Sequence, residues 1–245
     1  MYALIKKEIA YFFSSLVGIV ILMTFLIVNA LFLWAYPINE YLNIVSSGYA
    51  SLDPLFTLAP WMYLILIPAL TMRTISEEKS LGTLELLISK PLSDRQIVFA
   101  KFYSCLLILI LTLLPTITYV ISVSYLAFPV GNIDVGATMG SYIGLVLLGA
   151  AFISIGIFTS SISKNQIVAL LLSILLCIFF YLGFEWIAAF GTENSAGYFI
   201  RQLGIQEHYN SISRGLIDTR DVVYYGVLIV FFMALSELKL SARKW

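Results

Sequence analysis

Charged side chains are absent from six stretches of the chain, residues 9–39, 54–72, 102–133, 135–163, 165–184 and 222–236, and gather in the short segments between them. A helix rises 1.5 Å per residue, so about 20 apolar residues cross the roughly 30 Å of bilayer hydrocarbon. The pattern predicts six membrane-spanning helices, near residues 16–36, 57–75, 99–126, 138–161, 166–189 and 221–240. The sixth has the shortest uncharged core. Tyr224 and Tyr225 suit one of its interfaces, while Glu237 and Lys239 fit the opposite headgroup layer with their stems laid along the helix.

Three segments lie outside these spans. Within residues 1–15, Tyr2, Ile5, Ile9, Phe12 and Phe13 share one helical face and Lys7, Glu8 and Ser14 the other. That division predicts a helix lying in the headgroup plane, the alternative being a plain extension of the first span. Residues 76–89 are rich in Glu, Leu and Lys and free of Pro, which predicts a short helix with Leu81, Leu84 and Ile88 on one face, stopped at Lys90-Pro91. Ser93 and Gln96 then have capping-box spacing for the third span, with Asp94 in its first turn. In residues 190–220, Phe199, Leu203, Ile205, Ile212, Leu216 and Ile217 interleave with Arg201, Gln202, Glu207 and Arg214. One or two short amphipathic helices are expected there, broken at Gly204 and ended near Gly215.

Composition agrees with a bilayer as solvent: 60% of residues are hydrophobic, 11% charged, and the mean hydropathy is +0.96, against about 25% charged residues in a soluble domain. The formal net charge of zero points to no nucleic-acid partner; what matters is where the charges sit. With the N-terminus inside, the cytoplasmic side receives Lys6, Lys7, Arg73, Lys79, Lys90, Arg95, Lys101, Lys164, Lys239, Arg243 and Lys244, and the outside only Arg201, Arg214 and Arg220. Eleven against three orients the chain with both termini cytoplasmic. A cleavable signal at Val28-Asn29-Ala30 is disfavoured, since the apolar run from Ile9 to Tyr36 exceeds the roughly 7–15 residues of a signal core. Cys105 and Cys177 fall in apolar runs and read as free thiols.

Inside the spans the polar residues are mild: Asn29, Thr112, Thr116, Thr118, Ser122, Ser154 and Ser173, with Pro115 expected to kink the third helix. Gly136, Gly140 and Gly144 repeat at four-residue spacing, a pattern that lets another helix come close, within the chain or across a dimer. Trp34, Tyr36, Trp61, Tyr63, Tyr125, Phe128 and Trp186 read as interfacial anchors.

Enzyme chemistry finds little support. There is no His-Glu-x-x-His and no Gly-x-Ser-x-Gly, and the single histidine, His208, reads as a local hydrogen-bonding group rather than a metal ligand. No Gly-x-x-x-x-Gly-Lys-Ser/Thr exists to cradle nucleotide phosphates, so no cofactor is expected and any ATP must be bound by another subunit.

The pattern Glu-x-x-x-Gly-Thr-Leu-Glu-x-Leu, formed by Glu78, Gly82, Thr83, Leu84, Glu85 and Leu87, resembles the cytoplasmic loop of type-2 ABC exporter permeases. The resemblance extends along the chain through Pro68–Arg73, Gly131–Gly136, Gly140–Gly144 and Asn165–Ala169. It continues from His208 through Ser213, Arg214 and Gly215 to Asp218 and Asp221. Together these segments are similar to the GldF type, the permease subunits of gliding-motility-associated ABC transporters; permeases of copper-enzyme maturation systems share part of the pattern. The resemblance implies an all-α, six-span permease of a bacterial inner membrane, working in export driven by a separate GldA-like ATPase. It also implies a GldG-like membrane partner and two permease halves, as a homodimer or a heteromeric pair. The alternative is a non-transporting component that passes ATPase-driven motion to envelope machinery. In such permeases the loop carries a coupling helix seated on the ATPase, so Glu77, Glu78, Lys79 and Glu85 become expected contacts and Gly82 a point of close backbone approach. The segment 190–220 would be re-entrant at the outer leaflet or folded as a cap.

Overall fold

The computed structural model describes residues 1–36, 42–88, 91–190, 195–215 and 218–242, and every regular element among them is helical. Six helical runs are long and apolar enough to cross a membrane: Leu16–Ala35, Asp53–Ser80, Asp94–Leu126, Val135–Ile162, Gln166–Ala189 and Thr219–Ser241. Each of the six overlaps one of the charge-free stretches, with charged residues confined to the outer parts of the runs, as expected where lipid penalises unpaired charge.

The N-terminal helix α1 (Tyr2–Ser14) is separate from α2 (Leu16–Ala30), because Ser15 between them is extended, with φ −89° and ψ 137°. The Ser15 hydroxyl accepts from the Gly18 N–H and donates to the Phe12 carbonyl, both at 3.0 Å. This corner needs glycine at position 18, since a Cβ there would overlap the Phe12 carbonyl. The face of α1 turned into the protein is Leu4, Glu8 and Phe12, while Tyr2 and Phe13 are exposed. The predicted faces are therefore rotated: Glu8 turns inward because it meets a buried cation from a distant helix, which periodicity does not reveal.

The first span ends in a π-helical turn, Leu31–Ala35, and the short α3 (Ile44–Ser47) is capped by Asn43. The second span is α4 (Asp53–Thr71), followed by α5 (Ser76–Ser80) and α6 (Thr83–Ile88). The third combines α7 (Asp94–Leu113) and α8 (Ile117–Leu126) across a 3₁₀ turn at Leu114–Thr116, placed there by Pro115. Ser93 and Gln96 form the expected capping box, with both bonds at 3.2 Å. The fourth span is α9 (Val135–Ile162); the fifth is α10 (Gln166–Ile178), a π turn and α11 (Phe184–Phe190). Two short helices, α12 (Ser195–Arg201) and α13 (Ile205–Ile212), lead to the last span, α14 (Thr219–Ser241).

Helix α9 is the central post, packed against α4, α7, α10, α13 and α14. Its small residues allow this. A Cβ on Gly149 would overlap Leu109 of α7, and one on Gly156 would overlap Thr71 of α4. The polar groups of the spans bond mainly to their own helices, as Asn29 to the Phe25 carbonyl at 2.8 Å and Thr112 to the Ile108 carbonyl at 2.8 Å. Tyr63 departs from the anchor reading. It is buried against Phe25 in the core, whereas Trp61, Tyr125, Phe128 and Trp186 are exposed.

Candidate functional site at the basic end of the bundle

Successive spans alternate in direction, so Lys6, Lys7, Arg73, Lys79, Lys101 and Lys164 gather at one end of the bundle. Lys90, Arg243 and Lys244, expected at the same end, lie outside the described residues. The chain leaves α4 here through an elbow that α9 fastens in place. The Ser160 hydroxyl accepts from the Ile75 and Ser76 N–H groups, each at 3.0 Å, and donates to the Met72 carbonyl at 3.1 Å. All of its hydrogen-bonding capacity is thereby used on the first turn of α5 and the end of α4. One residue on, the Lys79 ammonium donates to the Ser161 carbonyl.

A second fastening is ionic. Lys101 of α7, its side chain 1% exposed, holds Glu8 of α1 at 2.9 Å and Glu78 of α5 at 2.7 Å. Lys7 stands at 3.9 Å from Glu8 and 3.7 Å from Glu78, on the solvent side. Two carboxylates thus face two ammonium groups, and a buried charge is tolerated when it is paired in this way. Beside them the Tyr11 hydroxyl donates to Glu77 at 3.0 Å, and burial together with that carboxylate raises the tyrosine pKa. Helix α1, the elbow and the third span are tied at a single point.

The elbow itself differs from the single helix expected over residues 76–89. It is two helices, α5 and α6, parted at Gly82, whose φ of +70° lies in the left-handed region. A Cβ on Gly82 would have nothing within 4 Å, so the glycine serves backbone conformation and not close approach. The break also redistributes the faces. Leu84 and Leu87 are buried, while Leu81, expected beside Leu84, is 68% exposed; the Ile88 side chain and Ser89 lie outside the described residues. Thr83, Glu85 and Leu86 are exposed with Leu81 and Gly82 and form the projecting tip. Glu78, expected to face a partner, is instead committed to Lys101.

A sequence profile for proteins described as the ABC-2 family transporter protein family matches residues 2–236. The chain belongs to the ABC-2 transporter family. Membership makes it a multi-pass transmembrane permease and implies an ABC ATPase partner. No curated protein sequence gives a significant match.

At the opposite end of this ABC-2 permease the remaining singled-out residues form a clamp around α13. A Cβ on Gly140 would sit 2.9 Å from the Gly215 backbone and one on Gly144 2.8 Å from Ile212, so α9 receives the outer segment of its own chain there. Gly136 meets only the side chain of Asp134. Ser141 donates to the Ser213 carbonyl at 2.8 Å, and Gly215, with φ +81°, turns against Ala137. His208 places Nδ1 2.7 Å from Asp221 and Nε2 2.8 Å from the Gln202 carbonyl, stacked on Tyr224. Asp218 caps α14 through the Arg220 N–H, and Arg214 is exposed. Tyr209 reaches the Phe56 carbonyl of α4 at 2.7 Å, and burial holds its pKa well above the ordinary value. Leu216 and Ile217 lie outside the described residues.

The residues that sequence reasoning missed are Ser160, Lys101, Glu8 and the Thr71–Gly156 contact. Ser160 and Gly156 look like ordinary small residues of a membrane helix. Lys101 did carry a signal, since it directly abuts the charge-free stretch 102–133, where a lysine must find a partner or pay for desolvation.

Proposed function

We propose that this chain is the permease subunit of an ABC exporter of the gliding-motility type, with its basic end in the cytoplasm and the elbow 74–88 as its coupling element. The observation that carries the reading is the elbow's construction: a tip exposed at Leu81, Gly82, Thr83, Glu85 and Leu86 on a base fastened to α9 by Ser160 and to α7 and α1 by Lys101. A push on such a tip reaches three spans without being lost in a flexible loop. An ATPase seated there would therefore move α4, α7 and α9 together. The tip pairs apolar Leu81 and Leu86 with Glu85, a mixture suited to a protein surface.

In this reading a GldA-like ATPase docks on the tip, a GldG-like membrane protein completes the assembly, and two permease copies line the path. α13, which descends beside α9 to the level of Gly144, forms a re-entrant outer element. Docking is tested by co-purifying the ATPase with Glu85→Lys and Leu86→Asp variants that keep a monodisperse permease. Retention should fall at least tenfold; unchanged retention and unchanged ATPase stimulation refute the docking role. Complementation of a permease-null gliding cell then tests the system: the wild-type chain should restore surface spreading and the double variant should not.

A further inference from the structure

His208 is the only histidine of the chain, and its two ring nitrogens face a carbonyl and a carboxylate. Nε2 lies 2.8 Å from the Gln202 carbonyl and Nδ1 2.7 Å from Asp221 Oδ1. A neutral imidazole carries one N–H and one bare lone pair. With the N–H given to the carbonyl, that lone pair would stand 2.7 Å from the carboxylate, acceptor against acceptor. The contact is satisfied only when one further proton lies between Nδ1 and Asp221. Carboxylates ordinarily hold a proton far less tightly than imidazole does, so the proton belongs to the nitrogen. The closed pair is an imidazolium and a carboxylate.

The surroundings favour the same state. The His208 side chain is 15% exposed and that of Asp221 8%, and the second Asp221 oxygen is buried without a hydrogen-bond partner, so the carboxylate depends on the imidazolium for its pairing. The ring stacks on Tyr224 with centroids 3.9 Å apart, a face that attracts a cation. Among the described residues no second charge comes within ion-pair distance of His208. Helix α13 packs on α9, on the π turn Phe179–Gly183 and on α14. Helix α9 carries no charged residue and its Tyr142 hydroxyl is bonded to Thr116; the π turn adds the phenol of Tyr181, and α14 adds Asp221, Tyr224 and Tyr225. Arg201, Glu207, Asp218 and Arg220 are exposed.

We propose that His208 and Asp221 form a proton-dependent latch that holds α13 and the turn before it closed on the start of α14. Loss of the proton sets a bare nitrogen against a buried carboxylate that has no other donor, and the pair parts. The closed state binds one proton that the parted pair releases, so raising the pH favours opening, by at most about tenfold per pH unit. Opening uncovers the surface of α9 at Ser141 and Gly144, where the outer segment is seated. The latch goes beyond the exporter reading and rests on no property of the ATPase; that reading decides only which compartment supplies the proton.

The single histidine reports the proton directly. With the full chain in lipid bilayers and nitrogen-15-labelled histidine, solid-state NMR at pH 7 should show both ring nitrogens protonated. In Asp221→Asn only one should be, because the amide can donate to a bare Nδ1. Opening is read with Cys105 and Cys177 replaced by Ala and a single Ser141→Cys, at a position 2% exposed beneath the outer segment. Its rate of reaction with a thiol reagent is divided by that of a single Tyr49→Cys, at a position 78% exposed. The ratio should rise about fivefold or more from pH 7 to pH 9, within the limit set by one proton, and should stay level when Asp221→Asn is added. A bare ring nitrogen in the wild type at pH 7, a level ratio without Asp221→Asn, or a rise that survives in Asp221→Asn overturns the proposal. The NMR measurement on the wild type needs no variant, so misfolding of Asp221→Asn cannot shield the latch from refutation.

Discussion

Lys101 shows how one residue sets local structure across three helices. Its ammonium, 1% exposed, is held by Glu8 and Glu78 at 2.9 and 2.7 Å. Removing it leaves two carboxylates facing each other in a site with little water. Lys101→Met should therefore cost about 3–5 kcal/mol, the scale for breaking a buried pair from one side, read as a lower melting temperature in detergent. Adding Glu8→Gln and Glu78→Gln to it should recover much of the loss, because the uncompensated charge is then gone. No recovery would mean that packing of the lysine stem, and not its charge, holds the three helices.

At the scale of elements, the elbow and α13 are both short helices that depend on neighbours for stability, since isolated helices of under about 12 residues are marginal. Ser160 supplies that support for α5. Ser160→Ala leaves the buried Ile75 and Ser76 N–H groups without their acceptor, at about 1–3 kcal/mol. Amide hydrogens of residues 75–80 should exchange faster, and ATPase stimulation should drop while ATPase binding persists; unaltered exchange would show that the elbow is held by other contacts. At the other end, His208→Phe preserves a ring against Tyr224 and removes the bonds to Asp221 and the Gln202 carbonyl. Exchange should rise in 205–212 and stay unchanged in 75–80. Spread of the effect to both ends would instead report global destabilisation.

At the scale of the whole molecule, the alternation of six spans makes a topological prediction. With Cys105 and Cys177, both buried, replaced by Ala, single cysteines at Lys6, Glu85 and Lys164 should react with a membrane-impermeant thiol reagent only from the cytoplasmic side. A cysteine at Arg214 should react only from the outside. Labelling of Lys6 and Lys164 from opposite faces would break the six-span topology.

The sequence by itself determined the solvent, the number of spans and their limits to within a few residues, because lipid penalises unpaired charge so steeply that charge-free stretches are the spans. It also determined the capping box at Ser93 and Gln96 and the interruption of the α-helix at Pro115, both of which act within one turn of backbone. Tertiary structure alone decided what meets what. Residues 76–89 divide at Gly82 because local helix propensity cannot outweigh burial of Leu84 and Leu87 on one side and the Ser160 clamp on the other. Glu8 and Glu78 turn inward because Lys101, far away in the chain, waits there. Gly144 receives α13, and Gly140 the turn at Gly215 that follows it, not another span, a choice that spacing leaves open because small residues admit any close neighbour. Periodicity records how each residue stands toward solvent; pairings between distant residues are made only when the helices pack.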